Sequence, residues 1–380
     1  MVGMPAFHPS AVQRLHQLVP TSEDDSDVRW TQWVKLTARQ HLLLSCFVLD
    51  FQQYSQLGRE LEANLALDSA NLPFPTHTSL WDATNPHDWT IASQQQVDAP
   101  TTILEAIDAR ILKRYNIFQS AVLVAYHYGS ATSKTTPVNT SIEHLLDDSA
   151  TTQFQLSTAK LTQLVPTRSL LAVLGESWVL GLKTSQEEFS TLRITLQSWI
   201  SQLWPYAASG YPQPPVEALR ISIAMLRQLL PTSEPLVQGI GSEMGLFLAA
   251  LMVCAATAAA SSRFVVSTFS TQPNHLRQAR SSISSDRRPS IPHSEILSTA
   301  SHFLTTAIND ILSFNLPACH VGCRSLLLWV KMYFRGVTLN KHSSKVDASN
   351  SMGDFRGENI SEAITQIERM LDHAWDAWGI

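Results

Sequence analysis

Seventeen consecutive residues, Met244 to Ala260, carry no charge, and the run GLFLAALMVCAATAA inside them gives water almost nothing to bind. Such a segment must be covered on every side, by lipid or by other helices. It falls short of the roughly 20 apolar residues that a membrane span needs. Five alanines between Ala255 and Ala260, interrupted only by Thr257, suit close packing against neighbouring helices. The reading is a buried helix, with no membrane contact, and the rest of the chain must supply its cover. With 380 residues and 44% hydrophobic content the chain is long and apolar enough to do so. Helical periodicity recurs throughout and no alternating strand pattern of any length occurs, apart from a brief candidate at Phe264 to Phe269, so the expected fold is a large all-α, multi-helix domain.

A second strong pattern runs from Val28 to Ala83. Within RWTQWVKLTARQHLLLSCFVLDFQQ, residues 29–53, Trp33, Leu36, Leu43, Phe47, Phe51 and, just beyond, Tyr54 recur at spacings of three, four or seven, which predicts one long helix. Nearly every position from Leu42 to Leu49 is apolar, so this helix too is expected to be packed on all sides. The acidic run Glu23 to Asp27 precedes it, complementing the positive end of its dipole, with Ser26 or Asp27 as cap. Leu72-Pro-Phe-Pro75 then stops helix, and Ser79-Leu-Trp-Asp-Ala83 restarts a short turn. Trp81 in that turn is expected to be buried against the long helix.

Farther along, Thr102-x-x-Glu105 has the form of a capping box opening a helix to about Tyr128 with a break near Asn116. Gly129 to Asn139 is a polar loop. Ser185-x-x-Glu188 opens a stripe of Phe189, Leu192, Leu196, Trp199 and Leu203 that Pro205 ends. Val216, Leu219, Ile223, Leu226 and Leu230 repeat the pattern up to Pro231. Ser261 to His293 is rich in serine and carries Arg277, Arg280, Arg287 and Arg288, which reads as a linker or disordered insert. Within it Arg287-Arg-Pro-Ser290 makes Ser290 a candidate phosphosite. Helices follow at Ser294 to Phe314 and Cys319 to Phe334, then a polar loop from Asn340 to Gly357. Asn359-x-x-Glu362 opens a last helix with Ile360, Ile364, Ile367, Leu371 and Trp375.

Candidate chemistry is sparse. Cys319-His320-x-x-Cys323 places three metal-ligating side chains in five residues, but a structural zinc needs four ligands and no second pair follows at finger spacing. These residues are expected to face the interior instead. The four cysteines are too few for a disulfide scaffold and suit a reducing compartment. No nucleophile elbow, phosphate loop, zinc-protease helix or dinucleotide fingerprint is present, so no catalytic, cofactor-binding or metal residue is assigned. Lys plus Arg number 27 against 32 Asp plus Glu, a net charge of −5, which is no footprint for nucleic acid.

Taken together, Trp30 and Trp33 opening the long helix, Phe47-x-Leu49-Asp50 closing it, Leu72-Pro73-Phe-Pro75 and Leu80-Trp81-Asp-Ala after it resemble the regulatory middle homology domain of fungal transcription factors. Leu170-Leu-Ala-Val-Leu-Gly-Glu-Ser-Trp178-Val-Leu-Gly181 resembles a second block of the zinc-finger branch of that family. Where the family carries acidic and paired basic residues inside the first helix, this chain has Lys35, Thr37, Ala38, Arg39 and Gln40, and Thr76 stands in place of a cysteine after the second proline. The resemblance implies a nuclear, non-enzymatic regulatory domain acting on RNA polymerase II transcription. Its implied partners are transcriptional co-regulators or a homo- or heterodimer partner, with DNA reached only through a domain absent from this chain. Zinc, the family's cofactor, is expected only in fingers missing here, and a chain that starts so close to the long helix is expected to be a truncated product.

On this reading residues 1–27 are a lead-in, 28–260 the regulatory helical domain, 261–293 the linker, and 294–380 C-terminal helices packing on the same domain. Two rivals belong to other classes. An all-helical terpene-cyclase-like enzyme is echoed by Asp24-Asp-Ser-Asp27 and Asn309-Asp-Ile-Leu-Ser313, but Pro317 stands where a carboxylate ligand for magnesium is required. A purely structural helical scaffold is the other.

Overall fold

The computed structural model describes residues 26–57, 72–94, 100–108, 114–130, 141–174, 178–179, 182–204, 213–230, 242–271, 292–343 and 363–371. Helices dominate, and the chain divides between Ala159 and Lys160 into two compact units.

In the first unit α1, Ser26–Leu57, is a single helix of 32 residues. Trp33, Thr37, Gln40, Leu44, Phe47 and Phe51 form its buried face at alternating spacings of four and three. The helix is one-sided. Leu42, inside the apolar run that promised packing all round, is 58% exposed, because residues from Leu42 to Leu49 circle the helix twice while its neighbours α3 and α5 cover one side. After α1 an extended strap, Leu72 to His77, leads to α2, Thr78–Trp81, and α3, Pro86–Gln94. Helix α4, Ile103–Asp108, starts on the expected capping box: the Glu105 amide donates to Thr102 Oγ1 at 3.2 Å, and the Thr101 and Thr102 amides donate to the Glu105 carboxylate at 2.8 and 3.4 Å. The expected break near Asn116 is a second box. Asn116 Oδ1 accepts from the Gln119 amide at 2.9 Å while Gln119 Oε1 accepts from the Asn116 amide at 3.0 Å, opening α5, Ile117–Ser130. Val122 to Tyr126 in α5 are all buried, and with Leu44, Phe47, Phe51, Ile103, Leu145 and Leu156 they make the core of this unit. Helix α6, Ala150–Leu164, carries the chain out of it.

The second unit is built on α10, Ser242–Thr271. From Leu246 to Ala258 no side chain exposes more than 1% of its surface. This is the one helix among the described residues long and apolar enough to cross a membrane, and here it is buried inside the protein. Its cover comes from α7, Thr167–Leu174, α8, Gln186–Ile200, α9, Pro214–Leu229, α11, His293–Leu312, and α12, Leu316–Ser343. Ser185 caps α8 by accepting from the Glu188 amide at 3.2 Å, and Pro at the first turn opens α9. The only strands among the described residues are β1, Trp178–Val179, and β2, Leu182–Lys183, an antiparallel pair with Trp178 opposite Lys183. Residues 363–371 form α13, whose Glu368 takes Lys331 at 2.8 Å and Arg335 at 3.0 Å from α12.

Two boundaries differ from the sequence expectation. Helix α10 runs on to Thr271, so Ser261 to Thr271 is helix and not linker, and the strand candidate at Phe264 to Phe269 is helical. Serine does not break the helix here because the Ser261 hydroxyl donates back to the Thr257 carbonyl at 3.0 Å, keeping the polar group inside the helix's own ladder. Arg277, Arg280, Arg287, Arg288 and Ser290 lie outside the described residues. Helix α12 likewise continues to Ser343, past the expected start of a loop at Asn340.

Between α11 and α12, Phe314 adopts a left-handed φ of 59°, unusual for a side chain of its size. Its ring stacks on Trp204 at 5.5 Å and 9°, and the Arg263 guanidinium lies 5.1 Å from the same indole, contacts that offset the strain. Just beyond, Gly322 of α12 lies so close to α11 that a methyl group added to it would fall on the Phe303 ring, which is itself 3% exposed. Gly322→Ala is therefore expected to destabilise the protein by about 1–3 kcal/mol, the usual cost of overpacking a core, read as a lower denaturant midpoint. A midpoint equal to or above that of the native protein would show that the helices part freely there.

Candidate functional site

Proline has no N–H, so the strap Leu72-Pro-Phe-Pro75 offers mainly carbonyls, and a buried carbonyl needs a donor. Glutamine side chains from two helices supply it. Gln40 of α1, 2% exposed, donates from Nε2 to the Phe74 carbonyl at 2.9 Å, and Gln119 of α5 donates to the Pro75 carbonyl at 2.8 Å. On the other edge the Phe74 amide donates to the Thr101 carbonyl at 2.9 Å and the Ile103 amide to the Leu72 carbonyl at 3.3 Å, so the strap is held to α4 as a short antiparallel bridge. Tyr115 packs edge-on against Phe74 at 4.8 Å and donates its hydroxyl to the Ala106 carbonyl at 2.9 Å. Burial pushes that hydroxyl's pKa up to about 12, so it remains a donor at all physiological pH.

Beyond the strap, His77 caps α2 by accepting from the Ser79 amide, and Asn85 caps α3 by accepting from the Asp88 amide at 2.9 Å. These two short helices present Leu80, Trp89 and Ala92 to α1, where Trp33 meets them and Trp30, Val34 and Leu36 pack around the edge. The Trp33 and Trp89 rings lie 5.7 Å apart. Thus the structure brings together Trp30, Trp33 and Leu80 of the sequence motif, and brings Phe47 together with the strap of Pro73 and Pro75. Leu49 and Asp50 are half-buried near the end of α1. Trp178 is in β1 of the other unit, with its side chain outside the described residues, as is Ser290 altogether.

Trp81 corrects its expectation: it is 40% exposed, while Trp89 is 0% exposed. Helix α2 is a single turn, so Leu80 takes the inward direction and the next residue is rotated by about 100° away from it. The Trp81 ring instead lies on His41 of α1, centres 4.6 Å apart, and the other side of His41 meets Phe118 of α5 at 5.2 Å. Burial between these rings holds the His41 imidazole below its ordinary pKa of 6.5. The result is an uncharged, half-exposed aromatic group on the surface of the first unit, a part of the site that no sequence spacing marked.

The other candidates are interior features. Cys319 and Cys323 are fully buried on α12, as expected, and His320 points to Ser261 Oγ at 2.7 Å. Among the described residues no three His, Cys, Asp or Glu gather as a metal centre requires. Asp310, the carboxylate of the partial terpene-cyclase echo at Asn309 to Ser313, accepts from the Asn315 side chain at 2.9 Å and closes the end of α11.

Two measurements separate these roles. Trp89→Ala is expected to cost about 3–5 kcal/mol, the range for a large buried aromatic, whereas Trp81→Ala is expected to shift the thermal melt little; equal losses would contradict the assignment of Trp89 to the core. The second is pH dependence. Because His41 binds its proton more weakly folded than unfolded, its contribution to stability is fully present above pH about 6.5 and is lost as pH falls from there towards its folded value. His127, lowered by burial in the same way, acts in the same direction. Denaturant midpoints are expected to fall between pH about 7.5 and about 5.5, and to fall less in His41→Phe, which keeps the ring contacts and removes the titration. An unchanged slope in that variant would assign the pH effect elsewhere.

A family model described as the fungal specific transcription factor domain matches residues 3–199. That span takes in α1, the strap, the Trp33–Trp89 cluster and the chain as far as Trp199 of α8. Comparison with curated proteins and with solved structures gives no match. The tryptophan-led helix, the proline strap that Gln40 and Gln119 hold and the second block at Leu170 to Gly181 all fall within the matched residues, and the chain belongs to the fungal-specific transcription factor domain family.

Proposed function

We propose that this chain is the regulatory part of a nuclear factor that controls RNA polymerase II transcription through protein contacts, without catalysis of its own. Membership of the family supports a role in fungal transcription regulation, and that match over residues 3–199 is the observation that carries the proposal. The finer reading rests on charge and surface. A net charge of −5 is unfavourable for neutralising phosphates, and the resemblance to the zinc-finger branch of the family implies that DNA contact, and zinc with it, belongs to a separate finger segment. Co-regulators, or a homo- or heterodimer partner, are the proteins contacted. Trp81, packed at a tilt of 51° against the His41 ring and 40% exposed, is the kind of rigid amphipathic aromatic on which protein interfaces concentrate their binding energy.

The test is a fusion. The full chain joined to an unrelated DNA-binding domain is expected to change reporter transcription in a fungal cell, and Trp81→Ala in the same fusion to lose at least half of that change at equal protein level. In a gel shift the isolated chain is expected to bind duplex DNA only weakly, with no sequence preference and with loss on added salt, since counterion release alone would drive it. A silent reporter together with tight, salt-resistant, sequence-selective DNA binding would overturn the regulatory reading. Magnesium-dependent turnover of an isoprenoid diphosphate would replace it with an enzyme.

A further inference from the structure

Buried between α10 and α12 are two thiols in contact. Cys254 Sγ lies 3.0 Å from Cys323 Sγ, and both residues are 0% exposed. They are 69 positions apart in sequence, so only the packing of the two helices brings them together. The layer next to them is fixed as well: His320, three positions before Cys323, bonds Ser261, seven positions after Cys254, at 2.7 Å. The two helices therefore run antiparallel in a register that holds the sulfurs face to face. A disulfide has an S–S length of about 2.05 Å, so bond formation needs the sulfurs to close by about 1 Å, within reach of side-chain rotation. The remaining buried thiol, Cys319, sits one turn earlier on α12, and Cys46 is in the other unit.

We propose that Cys254 and Cys323 are a modification site, a dithiol that small peroxides oxidise reversibly to a disulfide joining α10 to α12. The inference is independent of the regulatory reading. One thiolate attacks a peroxide oxygen, the O–O bond breaks, and with hydrogen peroxide a sulfenic acid and one water result. The second sulfur then attacks the sulfenic sulfur, forming the S–S bond and releasing the hydroxyl as a second water. Two electrons pass from the pair of sulfurs to the peroxide, and both thiol protons leave in the waters. Burial sets the rate. It pushes the Cys323 thiol well above its usual pKa, the Thr257 hydroxyl being the one contact that favours its thiolate, and it pushes Cys319 up to about 12. Thiolate is therefore scarce, and the first attack waits on local opening of the helix pair. The second step is fast by comparison, since the partner sulfur is already in contact. This makes the pair a slow responder to sustained oxidant, and reduction by an external dithiol restores it.

The test uses the full chain, hydrogen peroxide as probe, and alkylation after denaturation. The reduced protein carries four cysteines and should take four alkyl groups. After native oxidation the product is expected to lose two alkylation sites, to yield a cross-linked peptide pair spanning Cys254 and Cys323, and to recover both sites with dithiothreitol. Cys254→Ser should abolish that link and Cys46→Ser should preserve it. The peptide map of the unsubstituted protein decides the matter even where a serine variant folds poorly. Oxidation confined to Cys46, or a link that uses Cys46 or Cys319 in place of Cys254, would overturn the proposal.

Discussion

From Met244 to Ser261 helix α10 has no face to give to water, and the second unit follows from that. Thirteen residues from Leu246 to Ala258 expose at most 1% each, and their alanines let neighbouring backbones come close. An all-round apolar helix needs neighbours on every side. That requirement explains why α7 is buried at every position but Arg168, why α9 shows a single clean stripe of Val216, Leu219, Ile223 and Leu226, and why Gly322 lies against Phe303 where α11 and α12 meet. Salt bridges add little by comparison. Arg168 to Glu188 at 2.6 Å joins two half-exposed side chains and contributes at most about 1 kcal/mol.

Polar chemistry organises the first unit instead. Thr37 and Gln40 sit at 0% and 2% exposure on the buried face of α1, between Trp33 and Leu44, where a purely apolar stripe would be expected. Gln40 answers a carbonyl of the strap with its Nε2, yet its Oε1, the Thr37 hydroxyl and the Trp89 indole N–H are buried with no hydrogen-bond partner among the described residues. Each such atom costs about 1–3 kcal/mol. The layer of α1, α2 and α3 therefore holds less net stability per buried residue than the apolar interior of α10, and segments of that kind open before the rest.

How much of this was legible in the sequence depended on how local the determining contact is. The box at Thr102 and Glu105 and the cap that Ser185 gives the Glu188 amide were readable because both partners lie within one turn. Burial of Met244 to Ala260 was readable because composition alone forbids exposure. Leu42 was not, since an apolar run reports how many greasy residues there are and not how many neighbours will cover them. Neither was the choice between Trp81 and Trp89: whichever residue of a one-turn helix faces inward is set by the strap that aims the turn. The continuation of α10 through Ser261 to Thr271 was masked by serine's breaking tendency, which the back-bond of the Ser261 hydroxyl to the Thr257 carbonyl cancels. At the site itself, the tryptophans of the motif were found and the glutamines that hold its strap were not, because a lone glutamine on an apolar face has the same spacing whether it is tolerated or required.

That requirement can be derived from the prolines. With Pro73 and Pro75 lacking amide protons, this part of the strap can donate only through Phe74, and that amide is already given to the Thr101 carbonyl. Its Phe74 and Pro75 carbonyls must then be met by donors from outside, and a glutamine amide is the longest uncharged side chain that offers two. Gln119 is satisfied at both ends, its Oε1 by the Asn116 amide and its Nε2 by Pro75, so it fixes the strap to the first turn of α5. Gln40 reaches the next carbonyl from α1. Slipping the strap by one residue would put a proline ring where Phe74 now packs on Tyr115 and leave the Thr101 carbonyl facing a residue with no amide proton. The polar contacts in this layer thus select one register among alternatives that would bury similar apolar area, and their gain is in uniqueness more than in stability.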